Sequence, residues 1–271
     1  MSTTFTPTET TAIQPIVKLL IEGRYDLAVQ SLRELQDEIY AAIPSKQRTG
    51  RGITWVLERI STLICSAGLE DAQLQSIALG LASNLPETDR LFGVPIFLMA
   101  NYGQRHPAEV LPFFERVAAS ENWVVREFTQ GAFRYIIHPH KDFIQPWLQQ
   151  MAQSRQPYLR RFTCETLRPV TVNRWMLETP EYSLSVLQLM FREPHPYPRT
   201  SVGNNLSDLS RRQPELIFSI VQELMAMSDA NSAWIAYRAC RNLVKIQPQR
   251  VLDLLCVDEY HYKDRNVYRQ A

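Results

Sequence analysis

Glycine is scarce in this chain, nine residues in 271. No Asn-Gly or Asp-Gly dipeptide occurs and alternation of polar with apolar residues is almost absent, which argues against a fold built on β-hairpins. The four cysteines (Cys65, Cys164, Cys240 and Cys256) form no Cys-x-x-Cys pair. Neither a zinc module nor a disulfide framework is indicated, and a reducing cytoplasm is the expected setting. Formal net charge is only +1, so no global field marks nucleic acid as the partner, although a balanced total can hide a one-sided distribution. No apolar run reaches the roughly 20 residues of a membrane span. The start, MSTTFTPTETT, has neither the basic opening nor the apolar centre of a secretory signal. Also missing are a glycine-rich phosphate loop, an HExxH zinc helix and a nucleophile elbow. No metal or organic cofactor is expected.

What the chain does have is amphipathic helix. At 45% hydrophobic and 21% charged, its composition is globular. Segments with helical apolar spacing run over 12–22, 25–42, 51–68, 71–84, 88–103, 108–119, 122–137, 140–153, 157–168, 180–192, 198–211, 214–227, 232–245 and 248–256, separated by short Pro, Asn or Asp punctuation. The expected class is all-α. Residues 1–10, rich in threonine, read as a disordered tail. Residues 11–84 read as a helical cap, 85–256 as a repeat array, and 257–271 as a C-terminal tail.

The repeat shows in four stretches that align without gaps: VREFTQGAFRYI, LRRFTCETLRPV, PRTSVGNNLSDL and AYRACRNLVKI. They place Phe133, Leu167, Leu206 and Leu243 at one position, 34, 39 and 37 residues apart. That is the spacing of helix pairs, and pairs of this kind stack into an α-solenoid, a curved superhelix with a concave cleft. Arg126, Arg160 and Arg199 share another repeat position, and the fourth repeat has Ala236 there with Arg238 and Arg241 nearby. Aligned guanidiniums suit a phosphate backbone. The competing reading is that they brace neighbouring helices.

Residues 197–215, YPRTSVGNNLSDLSRRQPE, pose a sharper question. Val202, Leu206 and Leu209 at i, i+4 and i+7 predict a helix, yet Gly203, Asn204, Asn205, Ser207 and Asp208 are poor helix formers. Asn204, Asp208 and Arg211 form a stripe opposite the apolar one, where short polar side chains would let a bulky duplex come close. Alternatively, Asp208 pairs with Arg212 and the asparagines bond to neighbouring repeats.

This stretch resembles the helix of form Y-x-R-x-S-V-x-N-x-L-x-D-[IL]-[SA]-[KR] in the HEAT-like-repeat DNA alkylation repair family, through Tyr197, Arg199, Ser201, Val202, Asn204, Asn205, Leu206, Asp208 and Ser210. One repeat earlier, YLRRFTCETLRP resembles the family's Y-V-R-R-x-A-x-E-G-x-R-P through Tyr158, Arg160, Arg161, Glu165, Arg168 and Pro169. Trp123, Val125 and Glu127 match its W-x-V-x-E helix, and Arg241, Leu243 and Lys245 its closing H-A-x-R-x-L-x-K. The match covers roughly residues 85–256. Three positions depart from it: Glu-Gly becomes Glu165-Thr166, the Pro-Trp after Arg-Pro is replaced by a run with Trp175 displaced, and the closing His is Tyr237.

The family contains AlkC- and AlkD-type alkylpurine DNA glycosylases and non-excising relatives, all HEAT-like helical arrays. The resemblance implies a cytoplasmic monomer that holds alkylated or branched duplex DNA and either releases a cationic N3- or N7-alkylated base or only grips the DNA. A protein–protein scaffold is the third reading. Alkylation charges the base and weakens its glycosidic bond, so a carboxylate that stabilises the oxocarbenium-like sugar and orients water does most of the work. The resemblance points to Glu127 and Asp208 for that role. Trp123 and Trp175 would contact the lesion or sugar, partly by cation–π attraction. Arg126, Arg160, Arg161, Arg168, Arg199, Asn204, Arg211 and Arg241 would contact DNA. The HPHK turn with His138 and His140 lacks further ligands for a metal, and the tyrosine-rich end, DEYHYKDRNVYRQA, reads as a docked or frayed terminus.

Overall fold

A computed structural model describes residues 5–262 and 266–269. Among these the chain is helical, and it divides into two compact units, residues 1–140 and 141–271. The division falls at the His138–His140 turn, and the expected boundary at 84/85 lies inside the first unit.

The first unit contains α1 (Pro7–Ile21), α2 (Tyr25–Ala42), α3 (Ile53–Cys65), α4 (Asp71–Asn84), α5 (Gly93–Gly103), α6 (Pro107–Ala118) and α7 (Trp123–Ile137). Helix α5, GVPIFLMANYG, is apolar on nearly every side, the pattern of a helix with no solvent face. It is accordingly buried along almost its whole length, packed among α3, α4, α6 and α7. Helix α1 begins at Pro7, inside the segment expected to be a disordered tail. A capping box explains the difference. Thr6 Oγ1 accepts from the Glu9 backbone N–H and the Glu9 carboxylate accepts from the Thr6 N–H. Glu9 also takes a two-pronged bond from the Arg59 guanidinium of α3, which ties the start of α1 to the unit.

The second unit contains α8 (Lys141–Ala152), α9 (Pro157–Thr166), α10 (Pro180–Leu187), α11 (Pro196–Leu209), α12 (Pro214–Ala226), α13 (Ala230–Ala239) and α14 (Pro248–Leu255). Proline stands at the first position of five of these helices, where its missing N–H costs no hydrogen bond. Helices α9, α11 and α13 pack side by side in repeat order, and α8 and α12 back them. The shared apolar position of the repeat is realised: Phe133, Leu167, Leu206 and Leu243 are all fully buried. The residues expected to form a C-terminal tail instead include an antiparallel hairpin, β1 (Glu259–Tyr262) with β2 (Asn266–Arg269). It is docked by Tyr260, whose buried ring stacks on Tyr237 at 4.2 Å and whose hydroxyl donates to the Tyr237 carbonyl. No described helix is long and apolar enough to cross a membrane.

The Arg59 hydrogen bonds hold the Glu9 carboxyl down at about 2, against an ordinary value of 4.5. A depressed carboxylate contributes stability above its unfolded pKa and loses it as pH falls toward the folded one. Glu9→Gln is expected to cost about 1–2 kcal/mol at neutral pH, the worth of a hydrogen bond to a charged group. The deficit should shrink as pH drops from about 5 towards 2. Thermal unfolding of both proteins across that range measures it.

Candidate nucleic-acid interface

Helix α11 uses its poor helix formers as connectors to the helices on either side. Ser201, Asn205 and Asp208, at i, i+4 and i+7, reach towards α9. Ser201 Oγ accepts from Arg161 and donates to Glu165, both at 2.6 Å. The Asn205 amide donates to the Cys164 carbonyl at 2.7 Å. Asp208 Oδ2 accepts twice from Arg168, at 3.0 and 2.6 Å. Gly203, Asn204 and Ser207 face α13 instead. Asn204 Oδ1 accepts from Arg238 at 2.9 Å and from Arg241 at 2.7 Å. The Ser207 carbonyl accepts from Asn242 at 2.6 Å. Gly203 supplies clearance, because a Cβ there would lie 2.8 Å from Arg238 Cβ. A Glu- or Lys-rich surface helix could not make these contacts.

Glu165 is the electrostatic centre of the α9 side. Its carboxylate, 5% exposed, meets Arg161 at 3.2 Å and Arg168 at 3.5 Å as well as the Ser201 hydroxyl. A buried carboxylate is tolerable when its acceptors are satisfied in this way. Burial alone would make Arg168 easier to deprotonate, but the bonds and charges of Asp208 and Glu165 outweigh it and raise its pKa. Asp208 Oδ1 lies 3.6 Å from Arg211, a side chain 67% exposed. Its ion-pair partners are therefore Arg168 and Arg211, and the pairing with Arg212 weighed from the sequence is not the one formed.

The repeat-aligned arginines serve a different purpose. Arg126 Nη1 donates to the carbonyls of Ser120 (2.6 Å) and Glu121 (2.9 Å). Arg160 Nη1 repeats this with Ser154 (2.8 Å) and Arg155 (3.1 Å), and its other nitrogens hold the Glu193 carboxylate, which is 2% exposed. Arg199 bonds to Asn231 and lies over the Trp234 ring at 4.9 Å. Arg126 and Arg160 brace the turn before their helices, and Arg199 ties α11 to α13, so the bracing interpretation accounts for the shared position. The cations suited to a polyanion lie further along the helices.

Trp123 opens α7 and is 65% exposed, with Asn122 capping the helix end beside it. Glu127 follows one turn later, half-buried and accepting from Gln130 at 2.5 Å. The two candidate carboxylates thus belong to different units, Glu127 to the first and Asp208 to the second. Trp175 lies in the 3₁₀ segment Thr171–Leu177 with its ring 5.1 Å from that of Tyr182 on α10. His140 of the HPHK turn contacts the Gln104 carbonyl at 2.9 Å. The sequence reading gave no role to Glu165, Ser201 or Arg238. The glycine and asparagine at 203–204 were the available signal for Arg238.

Among the described residues of this network, Arg161, Arg168, Arg211, Arg238, Arg241 and Lys245 stand beside the carboxylates of Glu165 and Asp208. A chain of near-zero net charge therefore carries a strongly cationic patch on one set of helices.

By sequence, no protein-family model and no curated protein matches this chain. By structure it is similar to AlkD2 from Streptococcus mutans, with a TM-score of 0.59 at 19% identity over 78% of this chain and 96% of that one. It is similar to the Pseudomonas fluorescens alkylpurine DNA glycosylase AlkC, bound to DNA containing an abasic site analog, with a TM-score of 0.57 at 20% identity over 88% and 68%. A further Streptococcus mutans protein gives 0.55 at 19% identity over 69% and 98%. The chain therefore has the fold of these helical-repeat proteins.

The close approach at Gly203 is itself testable. Gly→Ala inside a helix ordinarily gains up to about 1 kcal/mol, but here the new methyl meets the base of Arg238, which cannot swing away. Overpacking should dominate and leave Gly203→Ala about 1–3 kcal/mol less stable in urea unfolding.

Proposed function

We propose that this protein binds duplex DNA through the α9–α11–α13 face and acts in the repair of alkylated DNA. The observation that carries the reading is the excess of guanidinium and ammonium groups over carboxylates among the described residues of that network. The fold shared with a DNA-bound alkylpurine glycosylase supports it. In this reading the exposed Arg211 and the half-buried Arg168, Arg238 and Arg241 meet phosphates, and phosphate contacts set the register of the protein on the duplex.

The finer proposal is glycosidic cleavage of a cationic alkylpurine. Trp123 offers a large exposed aromatic face to the charged base or the sugar, and Glu127 stands one turn behind it on the same helix. A carboxylate there stabilises positive charge growing on the deoxyribose and orients the attacking water. Asp208, held by two bonds from Arg168, is the separate candidate carboxylate of the second unit. The double engagement of Asp208 by arginines favours one alternative, a relative that grips DNA without excising a base.

Binding to labelled duplex should weaken by about 20-fold for each doubling of salt if about five phosphates are neutralised. A salt-insensitive or absent interaction overturns the reading. On methylated duplex, Glu127→Gln and Asp208→Asn should each abolish release of 3-methyladenine or 7-methylguanine while DNA affinity changes little. Tight binding by a wild-type protein that releases no base selects the non-excising alternative.

A further inference from the structure

Helices α1, α2 and α3 line a cavity of about 780 Å³, open to solvent, that the DNA-binding reading leaves unused. Pockets that hold small organic molecules run from about 300 to 1,000 Å³, so this one is large enough to matter. Leu35, Ile39 and Ile43, four residues apart along α2 and its end, give it an apolar lining. Trp55 of α3 adds an aromatic ring.

Rings and cations alternate around Trp55 and hold the lining in place. The Arg59 guanidinium lies over both Phe5, at 5.0 Å, and Trp55, at 5.3 Å, and Arg51 lies over Trp55 at 5.2 Å. Glu9 fastens Arg59 to α1. On the connection after α2, Arg48 donates to the Ile43 carbonyl at 3.2 Å and lies over Tyr40 at 5.1 Å. The cavity is therefore shaped before a ligand arrives, which lowers the cost of binding one.

Four charged side chains line the cavity: Glu9, Glu38, Arg51 and Arg59. Glu9 and Arg59 satisfy one another. Among the described residues Arg51 has no acidic partner and Glu38 no basic one, and the two do not pair together. An apolar, aromatic cavity with one unclaimed guanidinium and one unclaimed carboxylate is complementary to a ring-bearing molecule with an anionic and a cationic end. A plain anion would meet Glu38 as a like charge, and a plain cation would meet Arg51 so. The volume admits two aromatic side chains. We propose that this cavity binds a small aromatic zwitterion of dipeptide size, its carboxylate meeting Arg51, its ammonium meeting Glu38 and its rings packing on Trp55 and the α2 stripe.

The probe is the dipeptide Phe-Phe, titrated calorimetrically into the full chain. Saturable binding at one site is expected in the wild type. Glu38→Gln and Arg51→Gln should each weaken it about three- to fivefold, the worth of a partly exposed ion pair. The N-acetylated probe, which lacks the ammonium, should bind less well and be indifferent to Glu38→Gln. The C-terminal amide, which lacks the carboxylate, should be indifferent to Arg51→Gln. Ala42→Trp fills the cavity from its lining and should abolish binding. All three positions are exposed, and thermal unfolding verifies that each variant is folded. No saturable binding by the wild type overturns the site, and binding that survives Ala42→Trp overturns its location. Blocked probes that bind as well as Phe-Phe, or charge variants that change nothing, overturn the zwitterion. Duplex affinity should be untouched by Ala42→Trp, because the proposed DNA face belongs to the other unit. A loss of duplex affinity there overturns the assignment to a small molecule.

Discussion

One guanidinium, that of Arg168, bridges the carboxylates of Glu165 and Asp208 and thereby keys α9 to α11. The remaining polar contacts of the face depend on that registration. With α11 fixed against α9, Ser201 reaches Glu165 and Arg161, and Asn205 reaches the Cys164 carbonyl. The opposite side of α11 then meets α13 at the height where Gly203 and Asn204 receive Arg238 and Arg241. Charge pairing in a partly buried interface adds little net stability, but it penalises misalignment heavily, because a slipped helix leaves a buried charge alone.

The same physics divides the arginines into two populations. Those whose nitrogens are filled by backbone carbonyls and a buried carboxylate, Arg160 above all, are parts of the scaffold. Those that meet side-chain oxygens of the neighbouring helix and stay partly exposed, such as Arg168 and Arg211, are the ones placed to engage a ligand. A helical-repeat protein needs both, because the first population positions the helices that present the second.

Much of the fold was legible in the sequence. Helical spacing located the described α-helices, and the repeat alignment identified a buried position at Phe133, Leu167, Leu206 and Leu243. The local structure at the two ends was not legible. A Thr-rich start reads as disorder until the Glu9–Arg59 pair, 50 residues apart, is known. At the other end, the pairing of Glu259–Tyr262 with Asn266–Arg269 is docked by one ring, Tyr260, meeting Tyr237, a contact that local sequence does not announce. The site was legible by residue type but not by role. Arg126, Arg160 and Arg199 share a repeat position with the look of a phosphate stripe. The carbonyl groups they satisfy lie five and six residues away in the turns that precede Arg126 and Arg160, and periodicity says nothing of those turns.

Sequence alone determined that the chain is helical, because apolar spacing is a local property that each segment carries for itself. It also determined that residues 197–215 must do something other than face water, since glycine and asparagine inside a helix need a reason. Only the tertiary structure decided what that reason is. Hydrogen-bond partners 34 to 41 residues apart, such as Asn204 with Arg238 and Asn205 with Cys164, exist only once neighbouring helices are packed. Whether a guanidinium braces the scaffold or faces outward depends on which oxygens that packing brings within 3 Å.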